Sequence, residues 1–157
     1  MSPSDRSNFQ TTGPWSRSEI INYLDSISIP IRLSVVLPSG WPVIVSLWFI
    51  LEGEKLWLAT PKSAHIVKAL LETDRCAFEV SSDKPPYQGV RGRGIIKVHD
   101  NEGERILHSV IDKYLASRET SLAKWLLSRS SAEVAISIDP VKIFSWDFTE
   151  RMQSDSN

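Results

Sequence analysis

The apolar positions of this chain switch between a helical and a strand spacing, and the switches mark out its elements. Ile20, Ile21, Tyr23 and Leu24 recur on one helical face, and Ser16 with Glu19 forms a capping box, so a helix is predicted over Arg17 to Ser26. From Ile29 the spacing becomes two. Ile29, Ile31, Leu33, Val35 and Leu37 alternate up to Pro38-Ser39-Gly40, which reads as a strand and a turn. The stretch WPVIVSLWFILEGEKLWLAT places two β-branched and aromatic runs either side of Glu52-Gly53-Glu54, a hairpin signal.

A short helix is expected over Ser63 to Glu72, followed by a strand at Arg75 to Ser81 and a loop at Asp83 to Pro86. Val90 to His99 reads as another strand, in which Gly92 and Gly94 suggest a bend or a close backbone approach. Asn101 and Glu104 have the spacing of a second capping box. They precede a clean helical period of Ile106, Leu107, Val110, Ile111, Tyr114 and Leu115. Ser121 to Arg129 carries Leu122, Trp125 and Leu126 as a further short helix. EVAISI and VKIFSWDF, separated by Asp139-Pro140, read as two closing strands.

Short turns between successive strands favour antiparallel pairing. About seven short strands with few helices point to a mainly β protein, a closed antiparallel barrel with helices outside, and not to a parallel doubly wound sheet. The polar, Pro- and Gly-punctuated residues 1–14 are expected to form a flexible arm and 151–157 a tail, leaving one domain over 15–150.

Composition narrows the function classes. A net charge of −1 argues against a general nucleic-acid binder, which needs a basic face. Cys76 is the only cysteine, so no internal disulfide forms and a reducing, cytoplasmic setting is expected. The longest apolar run, Pro42 to Leu51, is about half of what a membrane-spanning helix needs, so no membrane association is expected.

Two clusters carry candidate chemistry. Thr60, Lys62, Ser63, His65 and Lys68 gather around the predicted start of the 63–72 helix, where unpaired backbone N–H groups favour an anion. The plain alternative is a capped surface helix with incidental cations. Arg91 and Arg93 lie two apart on one strand face between glycines, against the alternative of an ordinary solvated face. The glycines at 89, 92 and 94 do not match a dinucleotide fingerprint. His65, His99, His108 and Cys76 show no metal-ligand spacing, and no nucleophile elbow or paired-carboxylate site is present, so no catalytic residue or metal is assigned.

The order of elements, with GWPVIVSLWFILEGEKLWLATPKSAHIVKALLETDRCAFEV, PYQGVRGRGIIKV and the closing VKIFSWDF, resembles the pyridoxamine-phosphate-oxidase-like, flavin-binding split-barrel family over Ser18 to Phe148. The resemblance implies a six- to seven-stranded split barrel and a homodimer holding a flavin, usually FMN, in clefts between subunits. It implies that Val45, Ser46, Leu47 and Trp48 run beside the flavin ring, and that Thr60, Lys62 and Ser63 meet the phosphate. His65 stands where the family often has lysine, and Lys68 lies in the same cluster. Arg91 and Arg93 fall on a strand that often reaches the cofactor. Val43 and Trp48 occupy positions that carry cations in true pyridoxamine phosphate oxidases, so that substrate is not implied. The function implied by the resemblance is that of an FMN-binding oxidoreductase acting on an unassigned small molecule. The alternatives are a deazaflavin-dependent reductase and a non-catalytic flavin- or haem-binding carrier or sensor.

Overall fold

The alternating apolar residues build one rolled sheet. The computed structural model describes residues 9–153, so residues 1–8 and 154–157 of the predicted tails lie outside the described residues. Eight strands are described: β1 (Gln10–Thr12), β2 (Ile31–Val36), β3 (Pro42–Leu47), β4 (Phe49–Glu52), β5 (Lys55–Pro61), β6 (Arg75–Ser81), β7 (Gln88–His99) and β8 (Glu133–Asp147). Five helices accompany them: α1 (Arg17–Ser26), α2 (His65–Ala69), α3 (Gly103–Tyr114), α4 (Ser121–Ser128) and α5 (Thr149–Gln153).

The strand path is β3-β2-β6-β7-β8-β5-β4, and each adjacent pair along it is antiparallel. Strands β3 and β4 are its two edges, yet only Trp48 separates Leu47 from Phe49. Two Cα–Cα steps of about 3.8 Å cannot cross an open sheet, so the sheet is curled until its edges meet at Trp48. This is the mainly β antiparallel barrel that the sequence predicts.

Phe49, Leu33, Leu58, Ile136 and Ile143 are fully buried inside the roll, and Ile20 and Leu24 of α1 join the same cluster. A second cluster joins Ile106, Leu107, Val110 and Ile111 of α3 to Ala123 of α4 and Ala135 of β8, fixing α3 on the outer side of β5 and β8 and α4 against α3.

Local signals hold where they depend on near neighbours. Helix α1 has the predicted bounds, and Ser16 and Glu19 make the capping box in both directions. Strand β6 also has its predicted bounds, and Gly53 turns the β4–β5 hairpin at φ 65°.

Several expectations are corrected. The arm expected over 1–14 is anchored from Phe9, which is buried, and β1 pairs in parallel with Lys142–Phe144 of β8. One buried aromatic and a short ladder outweigh the polar composition. The apolar run Pro42–Leu51 is two strands, because the barrel changes edge at Trp48. The two strands expected around Asp139-Pro140 are one. Strand β8 pairs with β5 up to Ile138 and with β1 from Lys142, while a bulge opposite Arg93/Gly94 absorbs the extra residue. Pro140, which has no N–H to donate, therefore falls where β8 changes partner. The second capping box is not made: α3 starts at Gly103 after Glu102, with no side-chain cap. A Cβ at Gly103 would stand 2.1 Å from the Glu133 carbonyl oxygen, so close docking on β8 sets this helix start. At the C-terminus, the Thr149 N–H donates to Asp147 Oδ1 and opens α5, carrying regular structure past residue 150.

Candidate functional site

Where the barrel edges meet, β3 and β5 end side by side and face α3 and α4 across a cleft of about 400 Å³. One wall is Ser46, Leu47 and Trp48 with Ala59, Thr60 and Pro61. Leu107 and Val110 of α3 and Leu122, Trp125 and Leu126 of α4 form the rest of its apolar lining. The volume falls in the range of pockets for small organic molecules. Strand β3 pairs on one side only, with β2, so its other edge offers backbone polar groups to a ligand.

Trp48 is held in place. Its ring stacks on Tyr114 at 5.1 Å and 11°. The Tyr114 hydroxyl donates to the Ile29 carbonyl at 2.7 Å and accepts from the Phe49 N–H at 3.4 Å. Burial pushes the Tyr114 phenol up to about 12. Two charged residues line the cleft, Arg129 and Glu133. Burial raises the Glu133 carboxyl above its ordinary value, with the Arg129 charge opposing the shift. The Arg129 guanidinium lies over the Trp125 ring at 5.0 Å.

The candidate residues divide three ways. Ser46, Leu47, Trp48 and Thr60 line the cleft, and Thr60 is buried. Val45 turns its side chain toward the core, leaving only its backbone for a ligand. Lys62, Ser63, His65 and Lys68 are exposed just beyond Pro61. The predicted helix start is displaced: Thr60 and Pro61 belong to β5, and α2 begins at His65, capped by Ala64 without a side-chain hydrogen bond. Ser63 therefore does not cap it, and with five residues α2 has only a weak dipole. The Lys62 N–H donates to the Ala132 carbonyl at 2.8 Å, and its Nζ lies 3.9 Å from Asp100.

Arg91 and Arg93 are elsewhere. Strand register aligns Ile44, Ser34, Ala77, Arg93 and Lys142 in one row and Ser46, Arg32, Glu79, Arg91 and Phe144 in the next. Apart from Ser46, which lines the cleft, these rows form a shallow depression of about 800 Å³ on the sheet's outer face. Arg91 stacks on Phe144 at 4.5 Å, and Ile44 nearby is 72% exposed. Sequence reasoning missed Arg32, Glu79 and Lys142 on this face, although their period-two spacing marks them as outward. It also missed Arg129 and Glu133 in the cleft, where Arg129 continues the helical stripe Leu122, Trp125, Leu126.

No sequence-family profile and no curated protein matches the chain. Solved structures do. The conserved hypothetical protein Rv2991 from Mycobacterium tuberculosis superposes with a TM-score of 0.74 at 20% identity, over 88% of this chain and 89% of that one. An F420 reductase gives 0.63 at 18% identity, over 78% and 94% of the two chains. A Listeria innocua protein proposed to be a pyridoxamine 5′-phosphate oxidase gives 0.57 at 17%, over 79% and 90%. The architecture of this chain is thus the split barrel of the pyridoxamine-phosphate-oxidase-like proteins. At such identities the likeness defines the fold. Among the described residues, no helix is long and apolar enough to cross a membrane.

Proposed function

We propose that this protein is a flavin-dependent oxidoreductase that binds FMN and works on a small molecule as a homodimer in the cytoplasm. One observation carries the reading. The free edge of β3 and the end of β5 meet at an apolar cleft, and the chain leaves that cleft at Pro61 directly into Lys62, Ser63 and His65. An isoalloxazine ring asks for apolar walls and backbone hydrogen-bonding groups, and a phosphate asks for cations and hydroxyls. The donor set fits both. Ser46, Leu47, Trp48 and Thr60 would border the ring, with Lys62, Ser63 and His65 at the phosphate. The Lys62–Asp100 pair is exposed on both sides, so Lys62 is held weakly and can exchange partners.

Bound flavin supplies hydride transfer, while the protein supplies binding, orientation and exclusion of water. Arg91 and Arg93 lie on the open sheet face, so in this reading they come to the cofactor from a second copy. That face supports dimerisation: exposed Ile44, Val36 and Val141 surround Arg32, Arg93, Lys142 and Glu79, a mixture able to pair with itself. A free, buried Cys76 suits a reducing compartment.

The test is titration of the purified protein with FMN, riboflavin and the deazaflavin F420, followed by oxidation of a reduced nicotinamide. FMN binding with turnover is the expected result. Preference for F420 would move the assignment to a deazaflavin reductase, and bound flavin without turnover to a carrier or sensor. Failure of both cofactors to bind at high micromolar concentration would overturn the reading.

A further inference from the structure

Helix α4 presents Leu122, Trp125 and Leu126 at helical spacing and is followed by its C-cap Arg129, and all four line the cleft. Its neighbour Ala123 is buried on α3, yet Leu122 and Trp125 remain 44% and 54% exposed. Two large apolar side chains on one stripe thus border a cavity and are left open to solvent. Trp48 lines the same cavity from the strand wall, immobilised on Tyr114. A fixed aromatic ring on the strand wall and a second indole on the helix wall of one apolar cleft suit a flat, polarisable molecule more than a flexible one. The charges in the lining are one guanidinium and one half-buried carboxyl, so the cavity carries no excess of either sign. Lys62, His65 and Lys68 are not among its walls. An anion is therefore met outside the cavity, and a neutral molecule with one hydrogen-bonding edge is suited to it.

We propose that the α4 side of this cleft is the substrate pocket and that it takes a neutral, planar aromatic compound of about two fused rings, held by Trp48 and Trp125 with its polar edge toward Arg129 and Glu133. This deepens the flavin-dependent reading and rests on it for the word substrate, but the binding itself needs no cofactor. Trp125 is the residue that sets the preference for flat rings.

Equilibrium dialysis with 2-naphthol tests the pocket, using decahydro-2-naphthol as the non-planar control and 2-naphthyl phosphate as the anionic one. 2-Naphthol is expected to bind at least about tenfold more tightly than either control. Trp125→Ala weakens it by about tenfold, since a lost ring contact of this kind is equivalent to roughly one such factor. Trp125→Phe keeps most of the affinity. Trp125 is more than half exposed, so neither variant threatens the fold. FMN affinity, measured on the same proteins, stays unchanged. Equal binding of all three probes, or indifference to Trp125→Ala, overturns the proposal. So does displacement of 2-naphthol by FMN with parallel loss of FMN affinity in Trp125→Ala, because the α4 side of the cleft would then belong to the cofactor's seat along with the strand wall. If FMN binds nowhere while planarity and Trp125 still govern 2-naphthol, the pocket stands and the flavin reading falls.

Discussion

Charge reversal at Lys62 separates a phosphate seat from an incidental surface cation. In the free protein Lys62 Nζ is 3.9 Å from Asp100, with the side chains 72% and 69% exposed. A pair this open contributes at most about 1 kcal/mol, so its loss leaves the fold intact. Against a phosphate the same ammonium makes a charge-assisted hydrogen bond of about 1.5–3 kcal/mol. A glutamate there adds repulsion of about 1 kcal/mol at ~4 Å in water-like surroundings. Together these correspond to FMN binding weakened by about 70- to 800-fold, with screening at this exposed position setting a floor of about tenfold. The short α2 cannot compensate through its dipole. Fluorescence titration of FMN and riboflavin against the parent, Lys62→Gln and Lys62→Glu reads the effect. FMN affinity is expected to fall in that order, while riboflavin, which has no phosphate, binds all three alike. Equal FMN affinity in the parent and Lys62→Glu would refute the reasoning and remove Lys62, with its neighbours, from the site.

Three further outcomes are expected. Ile44→Asp, on the open sheet face and 72% exposed, leaves the thermal midpoint nearly unchanged but lowers the light-scattering mass from that of the proposed dimer to that of a monomer; an unchanged mass would rule this face out as the interface. Gly103→Ala destabilises by about 1–3 kcal/mol in urea unfolding, because its Cβ would stand 2.1 Å from backbone oxygen of Glu133; the ~1 kcal/mol that alanine gains in helix propensity does not offset such a clash. Burial lowers the Lys113 ammonium from 10.5 to about 8, so between those values the unfolded chain binds more protons and stability rises with pH. Lys113→Met removes that rise. The difference between the two proteins isolates it from Cys76, whose thiol is pushed up to about 12 by burial and lowers stability above the ordinary thiol range. Parallel stability–pH curves would contradict the Lys113 account.

What was legible in the sequence is what neighbouring residues decide among themselves. The cap of α1, the limits of β6, the Gly53 turn and the apolar stripe of α3 arise from spacings of a few residues, and periodicity reports them directly. The antiparallel, mainly β class came from short connections between strands. Tertiary pairing decided the rest. The rolling of the sheet makes Trp48 a joint between two edges, and β8 runs through Pro140 because its partner changes there. Register then separates residues that looked like one site. Ser46, Leu47, Trp48 and Thr60 gather at the cleft, whereas Arg91 and Arg93, on β7 three strands away from β3, line a separate depression. Arg129 and Glu133 reach the cleft from more than sixty residues beyond Thr60, brought there when α3 buries its apolar face on β5 and β8 and α4 packs against α3. A spacing along the chain cannot encode such a meeting, because it is set by which distant strands share hydrogen bonds and which helix faces those strands leave to be covered.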